Sequence, residues 1–209
     1  MKKSIKILIV IISLFFSLAA LYYFGFYPNT TLKSMDSTIE FNEKDFVDKF
    51  LPKDFKLNLS ELSLKSHTTL NEEELTDLCI LAAKKDSNLN NYLDGLKIEI
   101  DGDSLILNAN VKYNKIPFRT KFVFKPYAEN NTILLKYQKG SIGFIPVSSE
   151  KIFSAIEDTD FIQVDKANDN IILNFSAIKY LDIKDLSVAD NSITIDFEAT
   201  LKFWDLIKK

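Results

Sequence analysis

Glycine and proline are scarce in this chain, five of each in 209 residues, so Gly-rich phosphate cradles, propeller blades and low-complexity linkers have almost no raw material. One cysteine excludes an intrachain disulfide framework and any multi-cysteine zinc site, and one histidine excludes every metal or catalytic arrangement that needs two. Most common enzyme chemistries are thereby disfavoured, and no cofactor is expected. What the chain does have is 46% hydrophobic and 12% aromatic residues, a mixture that folds.

The longest uncharged stretch runs from Ile7 to Tyr27, 21 residues. As a helix it would be about 31 Å long, enough to cross a bilayer core. Lys2, Lys3 and Lys6 precede it and the next basic residue is Lys33, so the positive-inside rule places residues 1–6 in the cytoplasm and the bulk of the chain outside. Tyr22, Tyr23 and Tyr27 cluster with Phe24 and Phe26 at the far end, where aromatic rings favour the lipid–water boundary. A cleaved signal peptide is the rival reading, because Ser17-Leu18-Ala19 is small-x-small, but the apolar run continues eight residues past Ala19. The residues beyond the anchor carry 23 basic against 29 acidic side chains, a formal −6, which argues against nucleic acid as a partner.

Residues 28–40 are polar and without clear period, and read as a stalk, with folded structure from Phe41 to residue 209. Asn42 can cap a short helix carrying Phe46, Val47 and Phe50 up to Pro52. Phe55 to Leu64 alternates around a slip at Ser60-Glu61, suggesting one long bulged strand. Asn71 with Glu74 three residues on makes a capping-box start, and Leu75, Leu78, Cys79 and Ala82 then form one apolar face, with Ile80 and Leu81 off it.

From Leu96 onward the period is near two. Turns fall at Asp101-Gly102-Asp103, at Ala128 to Asn131 and at Asp190-Asn191, and Ser148 or Ser149 can cap a second helix bearing Ile152 and Phe153. Ile98 to Ala109 weakly repeats as Leu186 to Phe197, as two antiparallel hairpins would. The expected fold class is α+β: the N-terminal helix, then a curved antiparallel sheet packed on two or three helices.

The run Asn71-Glu72-Glu73-Glu74-Leu75, the segment Gly140-Ser141-Ile142-Gly143-Phe144-Ile145-Pro146, and the ending Ile183 to Ile193 resemble the YpmS-type family of small Gram-positive envelope proteins. That resemblance implies an N-terminal anchor and one extracytoplasmic domain, with no activity or catalytic residue to carry over. Hairpins with a helix on their inner face are in turn similar to the tubular lipid-binding superfold, in which a curved sheet leaves an apolar groove, a likeness of fold alone.

His67 reads as an exposed loop residue at a strand-to-helix junction and Cys79 as a small buried hydrophobe; Asp101-Gly102-Asp103 and Glu157-Asp158-Thr159-Asp160 lack calcium-loop spacing. The informative supply is phenylalanine, 17 in all and 13 of them after the anchor. These either fill an ordinary core or line a groove suited to acyl chains. The candidate lining is the helix face Leu75, Leu78, Cys79 and Ala82, facing the strand rows Phe118, Phe122 and Phe124 and Ile193, Ile195 and Phe197. The expectation is therefore a non-catalytic, single-pass envelope protein that binds or shields a lipid or another apolar ligand. The alternative is a tethered accessory protein whose sheet surface contacts another envelope protein.

Overall fold

A computed structural model describes residues 2–28, 31–39, 54–57, 61–85, 87–154, 156–159, 162–174 and 181–202. The expected helix around Phe46 and Phe50 lies outside the described residues. Helix α1 (Lys2–Gly25) is long and apolar enough to cross a membrane, and no residue of its apolar window is buried in the rest of the chain. A buried core helix would pass the same length test but would be covered.

The sheet is two sheets rather than one. The larger has eight strands and contains β1 (Lys33–Ser34), β4 (Leu93–Asp101), β5 (Ser104–Tyr113), β6 (Ile116–Glu129), β7 (Thr132–Ile142), β10 (Asn170–Asn174) and β9 (Ile162–Asp165), in that spatial order. Strand β8 (Ile145–Val147) folds back on β7. The smaller sheet, in the order β11 (Leu181–Ala189), β12 (Ser192–Lys202), β3 (Glu61–Asn71) and β2 (Asp54–Leu57), lies with β11 against β6. Among the described residues all pairings are antiparallel, and the helices after α1 are short: α2 (Glu72–Lys85), α3 (Ser87–Tyr92) and α4 (Ser149–Phe153).

Hairpin chemistry sets this order. Asn114-Lys115, Asn130-Asn131 and Asp190-Asn191 each have two consecutive positive φ values, the geometry of two-residue turns whose twist matches the strands they join. Gly102, at φ +62, serves the β4–β5 turn. The hairpins β4–β5 and β11–β12, which carry the weak repeat, belong to different sheets. The expected single bulged strand is two strands: β2 pairs back on β3, with Leu57 opposite Leu62.

The residues read as a stalk are partly built into the domain. Lys33 and Ser34 pair with Leu96 and Gly95, and Met35 is buried in a cluster with Ile80, Ala83, Leu96 and Ile98. Ile39 packs against the same cluster. Met35 and Ile39 anchor this otherwise polar stretch, and its pairing covers part of a β4 edge that would otherwise lie open.

That edge also turns α2. The capping box forms as expected, with Asn71 N donating to Glu74 Oε2 at 3.0 Å and Glu74 N to Asn71 Oδ1 at 2.9 Å. Beyond the two residues that β1 covers, β4 has outward amides to satisfy. Ile100 N donates to Glu72 Oε1 at 2.7 Å and Ile98 N to Thr76 Oγ1 at 2.9 Å. Glu72 and Thr76 therefore face the sheet, and the buried stripe continues through Ile80 and Ala83. Leu75 and Cys79 flank the cluster, Leu78 is half-buried, and Ala82 is exposed, so the expected four-residue face is rotated toward Ile80.

Candidate functional site

The ten expected lining residues do not gather at one site. Leu75 and Cys79 pack beside the Met35 and Ile80 cluster. Phe122 and Phe124 belong to a second cluster, closed by Phe153 of α4 and Ile171 of β10. Ile193 and Phe197 are buried in the smaller sheet, with Ile195 half-buried beside them. Phe118 is elsewhere again, against α1. Facing rows of alternating apolar residues were legible in the sequence, but the rows face different partners.

The residues that do assemble are at the junction of α1 with the large sheet. Gly25 ends the helix, leaving its last carbonyls to be satisfied from outside. Arg119 of β6 supplies the donors: Nη2 reaches Phe24 O at 2.8 Å and Gly25 O at 3.1 Å, and the Arg119 backbone N–H donates to Phe26 O at 2.9 Å. A guanidinium at this end also opposes the negative pole of the helix. Gly143 N donates to Arg119 O at 2.8 Å, which ties the β7–β8 turn to the same point. Tyr22 Oη donates to Pro117 O at 2.7 Å.

Rings close the joint. Phe118 stands edge-on to Tyr22 at 6.0 Å and to Phe26 at 5.9 Å, and Phe26 lies 4.8 Å from Phe144. Glycine is required twice. A Cβ on Gly25 would meet the Phe144 ring at 2.5 Å, and one on Gly143, which has φ +59, would meet the Phe26 ring at 2.5 Å. Tyr23 and Tyr27 remain exposed, with their rings 5.3 Å apart, and Ile7 is exposed toward the other end of α1.

Beside this joint runs an open apolar groove of about 400 Å³. Ser17, Ala20, Leu21 and Phe24 of α1 form one wall, Phe144 the other, and Arg119 its upper end. Another concavity among the described residues is the cleft beside Lys65, His67, Asp196 and Glu198, which is lined by charged side chains. His67 is exposed on strand β3, opposite Asp196, rather than on a loop. Among the described residues no three His, Cys, Asp or Glu side chains gather into a metal-binding group. Burial pushes the Cys79 thiol up to about 11, which keeps it protonated at neutral pH.

No family model, curated protein or solved structure matches this chain. Its function is therefore argued from the junction itself.

The junction was absent from the expected site because its parts are distant in sequence. Phe144 and Gly143 are 25 and 24 residues beyond Arg119 in the sequence, and Arg119 is one of three basic residues in β6. A helix C-terminus needing donors was the available signal, and Arg119 is the chain's only arginine, but the sequence does not say that β6 runs past the helix end.

Proposed function

We propose that this chain is a membrane-anchored, non-catalytic lipid-binding protein, with its N-terminus in the cytoplasm and its domain on the outer face of the cell membrane. The lipid site is the groove between α1 and Phe144. The observation that carries this reading is the position of the groove. Its α1 wall, Ser17 to Phe24, belongs to the apolar stretch that would lie within a bilayer, so the groove opens where acyl chains already are. About 400 Å³ is at the low end of ligand sites, a volume for one chain rather than a whole lipid. Holding one outer-leaflet chain there would cover Phe144, which is 56% exposed, without displacing any hydrogen bond of the junction.

The test is photo-crosslinking of the full chain in vesicles that contain a phospholipid with a diazirine on its acyl chain. Lipid surrounding a bare helix labels α1 on all sides. A chain held in the groove labels the Phe144 peptide as well, and concentrates on the Ser17, Ala20, Leu21 and Phe24 side of α1. Phe144→Ser should reduce the α1 label on that side several-fold. Uniform labelling of α1 with none at Phe144 would leave the groove without a ligand.

A further inference from the structure

We infer that two turns of the large sheet, Tyr113 to Ile116 between β5 and β6 and Ile142 to Ile145 between β7 and β8, are tips that insert into the lipid interface beside α1. The inference rests on α1 spanning the membrane, as proposed above, and its surface shares Phe144 alone with the groove.

The first observation is direction. Arg119 N bonds Phe26 O just past the helix end, whereas two residues earlier Pro117 O accepts the hydroxyl of Tyr22, which lies a turn further back. Helical side chains lean toward the N-terminus, so the Tyr22 hydroxyl lies further back still. Strand β6, followed backward from Arg119, thus descends alongside α1 toward its apolar middle. Asn114 and Lys115 lie two to three residues below Pro117, at most about 7–10 Å at strand rise. Elements resting in the headgroup and acyl boundary are buried by roughly 5–10 Å, so the descent ends at the right depth. Phe144 reaches the same level, because it shares the groove with Leu21 and Ser17.

The second observation is chemistry. Tyr113 is 68% exposed, Ile116 50% and Ile145 49%, with Ile142 exposed beside them. In water these would be apolar side chains left uncovered at two adjacent turns of one sheet. In the interface they are aliphatic wedges with an amphipathic tyrosine, and Lys115, exposed at the tip with φ +68, has a stem that can snorkel its ammonium back to the phosphates. The backbone polar groups of both tips are compatible with this depth, because the headgroup zone is still wet. Continuity with α1 identifies the occupant: the surface meets the helix at Phe118, Phe26 and Phe144, so what covers the helix end also covers the tips.

The experiment places an environment-sensitive fluorophore on single introduced cysteines of the full chain, reconstituted in phosphatidylethanolamine–phosphatidylglycerol vesicles. The sites are Ile116→Cys, Ile145→Cys, Asn130→Cys at the opposite end of the sheet, and Leu14→Cys within α1. The parent chain, which carries Cys79 alone, is the blank. The Ile116 and Ile145 positions should be quenched by lipids spin-labelled near the headgroup and shielded several-fold from aqueous iodide relative to Asn130. Either tip behaving like Asn130 while Leu14 is lipid-quenched overturns the two-tip footing and leaves the anchor in place. Iodide reaching Leu14 overturns footing and anchor together. Quenched tips with no diazirine label at Phe144 would support the footing and remove only the groove.

Discussion

The two ends of the large sheet use the same kind of turn for opposite chemistry. At the end beside α1, the turns expose Tyr113, Ile116, Ile142, Phe144 and Ile145. At the other, the β4–β5 and β6–β7 turns expose Asp101, Gly102, Asp103, Glu129 and Asn130. Strands β5, β6 and β7 run between these ends, so neither strand propensity nor turn geometry explains the contrast: Asn114-Lys115 and Asn130-Asn131 have nearly the same backbone. The difference is one of surroundings. The far turns have the composition of turns in water, while the near ones fit a boundary in which apolar area is not wasted.

Ion pairs sharpen the comparison, with the largest expected effect. On the side where the chain comes in from α1, Lys33 Nζ lies 2.5 Å from Asp77 Oδ1, with side-chain exposures of 24% and 4%. Lys33→Met strands a carboxylate in the core and should lower the unfolding free energy of the full chain in micelles by about 3 kcal/mol. Adding Asp77→Leu should recover most of the loss, since the cost is the unpaired charge and not the missing contact. A single variant that melts like the parent would mean that residues 33–35 do not hold the β4 edge.

Next in size is a pair of glycines. Gly102 and Gly143 have φ values of +62 and +59, so alanine at either incurs the same backbone penalty, about 1 kcal/mol. A Cβ on Gly102 would meet nothing within 4 Å, whereas on Gly143 it would strike the Phe26 ring and the Gly25 carbonyl. Gly143→Ala should therefore cost about 2 kcal/mol and raise hydrogen exchange at the Arg119 and Gly143 amides, both of which hold the joint. Equal costs at the two glycines would mean that α1 is not docked on the sheet.

Much of this fold was legible because its signals are local. The capping box at Asn71 and Glu74, the helix start near Ser148, and the turns at Gly102, Asn130-Asn131 and Asp190-Asn191 each depend on a few neighbouring residues, and each is found in place. The turn at Asn114-Lys115 was less visible, since lysine rarely adopts positive φ. The rotation of α2 was illegible for a different reason: Glu72 and Thr76 face inward because β4 runs on past the two-residue β1 and its Ile98 and Ile100 amides need acceptors, a fact about the sheet order. The candidate site failed on the same ground. Alternation says that Phe118, Phe122 and Phe124 share a face of β6, but whether that face meets α1 or α4 is set by where Phe26 and Phe153 arrive from, 92 and 29 residues away from Phe118 and Phe124.

The smallest effect belongs to the far end. Lys125 Nζ and Asp103 Oδ2 are 2.5 Å apart, but their side chains are 51% and 65% exposed. The hydrogen bond from Lys125, then that from Ser104, holds the Asp103 carboxyl below its ordinary value. A carboxylate lowered in the folded chain contributes above its unfolded pKa, near 4, and the contribution is lost as pH falls through the lower folded value. Asp103→Asn should therefore melt slightly below the parent at neutral pH and low salt, and together with it at pH about 2. At neutral pH the small gap should close in about 1 M salt, where the Debye length is about 3 Å. The Lys33→Met loss should persist in that salt, because the Asp77 charge it strands lies within the protein. If salt erases both differences alike, the two pairs are of one kind and the contrast between the ends is confined to their apolar residues.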